Sequence, residues 1–512
     1  MNDARMPVLI GCAQTTDKRD PEEAATPIQL MAQVAREAAQ DAGPGAALLA
    51  QLDALIAVGL TVDSPESGSG ARGMVRNVPG AVCKALDINP REQRYTHTGG
   101  NTPQMLVNRY AQAIADGESS AVMIVGAEAL NTMLSRLKRG MDLDAWVDAS
   151  GDEPQMLGDA HPAASAHEMV YGMHTPATTY ALFENALRGK YGSTLQAHQE
   201  KLGELYHRFN AVAAQNPLSW FPTARSAQEI ATVSDNNRYV GFPYTKFLNS
   251  VIQVNMGAAL IMTSVARARE LGVADDRMVY LHGCADANEI WNVTDRQNYY
   301  SSPAIRTMGK KAMAMAGKSI DDMDFFDIYS CFPSAVQIAC DELGIAHDDP
   351  RGLTVTGGLP YFGGPGNNYV THAIATMMNV LRDNPGKFGL LNGNGWFVTK
   401  HSLGIYSTTP VSGTWQREAP ESYQQAILEQ QRPAFTETPQ GQARIETYTV
   451  LHGREGVERA LVIGRLEDGT RFVAETPDDE ATLRRMMSQD MLGASGHVTT
   501  GNPKNLFVPA FD

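Results

Sequence analysis

Cysteine is scarce: the 512 residues contain five, Cys12, Cys83, Cys284, Cys331 and Cys340, and no two form a CxxC pair. An odd, scattered set excludes a disulfide framework and a zinc site, and it predicts a reducing compartment. Positive charge is also short. Lys and Arg number 42 against 57 Asp and Glu, for a net charge of −15, so the basic stripe of a nucleic-acid surface is missing. No apolar run approaches the ~20 residues of a membrane span. The opening MNDARMPVLIGCAQ lacks the basic flank and long apolar core of a secretory signal. These absences predict a cytoplasmic protein with no nucleic-acid partner, no membrane span and no metal.

What is present is a globular composition, 43% hydrophobic and 19% charged, which excludes a disordered chain. Its length exceeds the ~250–300 residues at which a single core saturates, so two or three domains are expected. PVLIGCA (7–13) reads as a buried strand. Leu30, Met31, Val34, Ala38 and Ala42 then follow helical spacing up to Gly43. LDALIAVGL (52–60) and AVMIVG (121–126) are further buried strands flanking a helix at 102–117. Such alternation predicts a mostly parallel sheet with helices on its faces. Residues 130–244 read as an excursion from it, and VIQVNMGAALIMTSV (251–265) as a Gly-hinged strand and helix.

A second α/β block begins near Met278. Helices are expected at 304–316, 333–343 and 369–381, and strands at 324–328, 389–392 and 396–398. Two such blocks in tandem suggest an internal duplication. The assigned units are therefore 1–275, 276–410, a polar linker at 411–441, and 442–512. The last alternates in short strands around Asp468-Gly469 and predicts a small antiparallel barrel.

The order of four segments resembles the thiolase superfamily. PVLIGCAQT with LDALIAVG resembles its opening, AIADGESSAVMIVGAEALNT its helix–strand–Gly-Glu stretch, DFFDIYSCFPSAV its HDCF segment, and TVTGGLPYFGGPGNN its GHPxG loop. NRYVGFPYTKFLNS, GWFVTKHSLGIYSTTP and the tail are similar to thiolase-like proteins of type 1, which relate to sterol-carrier-protein-linked thiolases and carry an added OB-like domain. The resemblance implies a duplicated αβαβα fold, a coenzyme A thioester as substrate or ligand with no tightly bound cofactor, and a monomer or homodimer.

Thiolases attack a thioester with a cysteine at a helix N-terminus, activated by a histidine. The resemblance aligns Gly100 with that cysteine and Gly364 with that histidine. Asn392 or Asn394 stands for the second cysteine, and Tyr329 for the histidine of HDCF, while Cys331 and Phe332 match.

Cys331 precedes a helix whose dipole can lower a thiol pKa, against the plainer reading of a buried small hydrophobe. Tyr329 can serve as a general acid, or pack as a core tyrosine. His97, beside the empty nucleophile position, and His401, after the last strands, are candidate acid–base groups. Gly99, Gly100, Asn101, Gly358, Gly363 and Gly364 are candidate substrate-binding positions, because glycine loops let backbone N–H groups approach a ligand. Arg238 and Lys246 fall where the resemblance implies a coenzyme A wall. Three functions follow: a thiolase-like acyltransferase working without the usual nucleophile, a non-catalytic acyl-CoA-binding protein, or a retro-aldol carbon–carbon lyase using Tyr329.

Overall fold

A computed structural model describes residues 3–64 and 73–511. Its first strands are β1 (Pro7–Thr16), β2 (Ala54–Ala57), β3 (Glu92–Thr96), β4 (Ala121–Ala129), β5 (Gln155–Leu157), β6 (Tyr239–Gly241) and β7 (Tyr244–Thr245). Then come β8 (Asn255–Ser264), β9 (Val279–Asn288), β10 (Phe325–Asp327), β11 (Phe388–Gly395) and β12 (Lys400–Ser407). Ten of these form one sheet in the order β10-β11-β12-β9-β1-β8-β4-β2-β3-β5.

The duplication is visible in the ladder. Moving outward from the centre, β1–β8 and β8–β4 are antiparallel and β4–β2 is parallel. On the other side β9–β12 and β12–β11 are antiparallel and β11–β10 is parallel. The two halves meet where β1 and β9 pair antiparallel, Val8 opposite Tyr280. The expected mostly parallel sheet is therefore corrected to a mixed one. Alternation in sequence reports burial, and strand direction is left to the connections.

Helices complete five layers. Pro27–Asp41 and Val78–Leu86 lie over one half, and Pro303–Ala316 and Pro333–Leu343 over the other. Thr102–Asp116 and Tyr369–Asp383 touch each other and strands of both halves, so they form the central layer. Local chemistry sets their ends. Thr26 caps the first helix through a reciprocal box with Gln29 and is followed by Pro27. Thr102–Asp116 stops at Gly117, which adopts φ 78°.

Two expected elements change. Residues 251–265 contain one continuous strand, β8, buried on both faces, so the alternation that identifies a strand is missing. Residues 396–398 form the β11–β12 turn, with Trp396 and Val398 at φ 55° and 53°.

The tail contributes β13 (Gly441–His452), β14 (Val457–Leu466), β15 (Arg471–Glu475), β16 (Ser495–Thr499) and β17 (Leu506–Pro509). Pairing runs β13-β14-β15-β17-β16 and returns to β13, closing the expected small barrel with five strands. The barrel is fastened to the core. Leu451 of β13 pairs with Gly241 of β6, and Asn185 donates to the Tyr448 carbonyl at 2.9 Å. Fully buried Arg471 reaches Glu446 and the Thr294 and Arg296 carbonyls.

The linker reading of 411–441 needs correction. The segment holds helix Glu421–Leu428, buries Trp415, Tyr423 and Ile427, and pairs Arg417 with Asp286 of β9 at 2.5 Å. Its polar residues bond to the core: Trp415 donates to Leu281 and Tyr423 to the Asp286 carbonyl. The 130–244 excursion likewise supplies core. Helix Pro176–Lys190 is buried along most of its length, and its Glu184 pairs with buried His198 at 2.6 Å. Among the described residues no helix is long and apolar enough to cross a membrane.

Candidate active site

Three loops far apart in sequence converge at the carboxyl ends of strands, where α/β sheets place ligands. The THTGGN loop follows β3 and ends at helix Thr102–Asp116. The YSCF segment follows β10 and ends at helix Pro333–Leu343. The GGPGNN loop leads into helix Tyr369–Asp383. Asn367 joins two of them, accepting from the Gly99 N–H at 2.9 Å while its amide donates to the Gly59 carbonyl.

The third joint is Tyr329 against Gly100. A Cβ at position 100 would collide with the Tyr329 hydroxyl and lie 2.5 Å from the Asn394 carbonyl oxygen. The phenol thus occupies the space a cysteine side chain would need. Its backbone N–H donates to Asn392 Oδ1 at 3.0 Å, and its ring meets Tyr369 edge-on at 5.6 Å. Burial raises its pKa above the ordinary tyrosine range, so it is held as a neutral proton donor.

Cys331 sits beside it, with Sγ 3.9 Å from Asn394 Nδ2. The same Asn394 amide donates to the Tyr180 hydroxyl at 2.8 Å. Burial pushes Cys331 up to about 12, which favours the plainer reading of a buried small hydrophobe over an activated thiol. Its place before a helix does not offset the desolvation of a thiolate.

The glycine positions are tightly packed. Gly364 N–H donates to the Val251 carbonyl at 2.8 Å, and a side chain there would meet Ser250 Oγ. Cβ atoms at Gly358 and Gly363 would lie 2.6 Å from Ser330 Oγ and Met256 Sδ. Asn101 donates to Ser402 at 3.1 Å, leaving its Oδ1 buried and unpaired.

His97 is half-buried and shared by two cavities, of about 480 and 420 Å³. Burial and the neighbouring Lys400 charge lower its pKa, so the imidazole is neutral at physiological pH. His401 lies on β12 opposite Asn394; burial pushes it down to about 3, and neither ring nitrogen has a well-formed hydrogen bond. Arg238 and Lys246 do not join the loops through any described contact. Arg238 donates to the Tyr239 and His452 carbonyls at the barrel junction, and Lys246 is exposed.

Sequence reasoning missed three residues. Lys400 is buried at the start of β12, its ammonium on the Thr98 carbonyl and 5.6 Å from the Trp396 ring centroid. Glu128 is the penultimate residue of the wholly buried β4, and Asn367 ties the loops. For Glu128 the available signal was a charge in an otherwise apolar strand. Among the described residues no group of three His, Cys, Asp or Glu side chains could hold a metal ion.

The duplicated ladder, the central helix pair and the converging loops define a protein of the thiolase-like fold, with Gly100 at the head of helix Thr102–Asp116. More particularly, the chain belongs to the SCP2-thiolase-like proteins of type 1. It is 35% identical to a monomeric protein so described from Mycobacterium smegmatis, with 100% of both chains covered and a TM-score of 0.85. Residues 422–502 match the family of thiolase-like protein type 1 additional C-terminal domains.

A steroid side-chain-cleaving aldolase from Thermomonospora curvata is 27% identical over 213 residues, 40% of this chain. The chain spans about half, 51%, of that aldolase. Two more distant structures share the fold. The Ltp2-ChsH2(DUF35) aldolase is 18% identical, with 78% of this chain and 97% of that one covered and a TM-score of 0.57. The acetyl-CoA acetyltransferase of Syntrophomonas wolfei is 15% identical, with 79% and 100% covered and a TM-score of 0.56.

Proposed function

We propose that this protein is a carbon–carbon lyase that cleaves a β-hydroxy acyl thioester by a retro-aldol reaction, with Tyr329 as proton donor. The observation that carries the reading is the Tyr329 hydroxyl filling the nucleophile's space at Gly100. Retro-aldol cleavage needs a base and an acid and no covalent intermediate. Neutral His97 takes the proton of the substrate's β-hydroxyl, a carbonyl forms there, and the Cα–Cβ bond breaks. Its electron pair passes into the thioester enolate, which Tyr329 protonates. The products are an aldehyde or ketone and a shortened thioester, and solvent exchange resets His97 and Tyr329.

The aldolase name of the Thermomonospora relative supports the same chemistry. A coenzyme A thioester is the proposed activated substrate. Acyl transfer through an acyl-enzyme is the weaker reading, because Gly100 offers no nucleophile and Cys331 stays protonated. Product analysis with β-hydroxyacyl-CoA thioesters tests the proposal. Carbonyl product should form and fall by ~10²–10⁴-fold in Tyr329→Phe, the usual worth of a general acid. Coenzyme A thioester binding by calorimetry without turnover would overturn it in favour of a non-catalytic binding protein.

A further inference from the structure

A cavity of about 580 Å³ lies in the amino-terminal half, and neither Tyr329 nor Cys331 lines it. Its walls are Ile28, Leu60, Val62, Leu130, Met133 and Trp146. Such a volume and lining are those of a small-molecule site. One buried ionisable group reaches it. Glu128, 2% exposed and one residue before the end of β4, lines the cavity.

Thr61 saturates one side of that carboxyl, donating from N–H and from Oγ1 to Oε1 at 2.7 and 2.6 Å. Oε2 accepts no hydrogen bond among the described residues, although it is not sealed among the buried unpaired atoms. Of the charged groups around the cavity, Asp63 repels the carboxylate, and Lys84 and Asp148 lie at the more exposed margin. Burial pushes Glu128 up to about 7, so near neutrality it still carries a proton for much of the time.

We propose that this cavity binds an uncharged, largely apolar molecule that presents one carbonyl oxygen to the Glu128 carboxyl. The apolar walls supply affinity in proportion to the surface removed from water, and the protonated Oε2 donates the single orienting hydrogen bond. An anionic head group is disfavoured, because its charge would lose its water against the apolar wall and would add to the negative charge of Asp63 nearby. The cavity also communicates with the loops. A Cβ at Gly366 would collide with Glu128 Oε1 and Thr61 Oγ1, so the GGPGNN loop rests on the back of this carboxyl.

The proposal does not depend on the lyase reading, because its test measures binding alone. The full-length protein is titrated with 2-nonanone and with nonanoate at pH 6, by calorimetry and saturation-transfer NMR. The ketone should bind, and nonanoate at least tenfold more weakly. Ala81→Phe and Ala145→Phe, which fill the cavity from separate walls and leave Glu128 in place, should each weaken ketone binding tenfold or more. Neither alanine is buried, so both variants are expected to fold, and circular dichroism checks this. Absence of ketone binding, equal affinity for nonanoate, or ketone binding unchanged in a folded filling variant would each overturn the proposal.

Discussion

Two helix heads, one in each half of the molecule, are poor places for a nucleophile, and for opposite reasons. Gly100, before helix Thr102–Asp116, has no side chain to offer and no room for one. Cys331, before helix Pro333–Leu343, has a thiol, but burial keeps it protonated. The sheet around them repeats the same parallel and antiparallel pattern in both halves. The ladder is set by backbone hydrogen bonds and two-sided burial, so it tolerates exchange of the residues at its loop ends. What remains at the meeting point is a phenol.

The largest effect that could break this comparison is the reactivity of Cys331. With its pKa moved from 9.0 to about 12, the thiolate fraction at pH 8 should be about 10³-fold lower than in the unfolded chain. Iodoacetamide should therefore label Cys331 slowly in the native protein and rapidly in guanidinium, as read by peptide mass spectrometry. Fast native labelling would restore it as a candidate nucleophile.

A buried acid in the amino-terminal half offers a second contrast. Burial raises Glu128 from 4.5 to about 7, so the folded state holds this proton more tightly than the unfolded chain does. The stabilisation is fully present below pH 4.5 and is lost as pH rises through 7, by up to roughly 3 kcal/mol. Urea unfolding between pH 4.5 and 8 should show that slope from this group, and Glu128→Gln should remove it.

The packing at Gly100 predicts a smaller cost. Gly100→Ala should destabilise the fold by ~1–3 kcal/mol, the usual penalty of overpacking. Part of that cost should be recovered in Gly100→Ala with Tyr329→Phe, since the hydroxyl is the first atom in the way. Additive effects in the double mutant would mean that the two positions do not share the space. The smallest expected change is none. Limited proteolysis should leave 411–441 uncut until the whole chain unfolds, because Trp415, Tyr423 and Arg417 dock it on β9.

Much of the fold is legible in the residues. Thr26 with Gln29, the prolines near helix starts, and Gly117 mark helix ends through local chemistry. Ordered segments such as AVMIVGAEAL and YSCFPSAV identify the family because they combine a strand end with the loop that leaves it. Polarity misled the reading of 411–441, since Arg417 and Gln424 look solvated in sequence yet bind β9 in space. A strand buried on both faces, such as β8, also hides its period.

By itself, the sequence determined the superfamily, the duplication, the small barrel and the absence of a side chain at position 100, because these depend on residue type and order. Tertiary structure alone decided what each group can do. Cys331 became a protonated thiol, His401 a neutral buried imidazole, and Glu128 a carboxyl that gives up its proton only near neutrality, because charge is governed by the dielectric and the partners that distant segments bring. The same is true of Tyr329. Only the folding of β10 against the loop after β3 sets its hydroxyl where residue 100 has nothing.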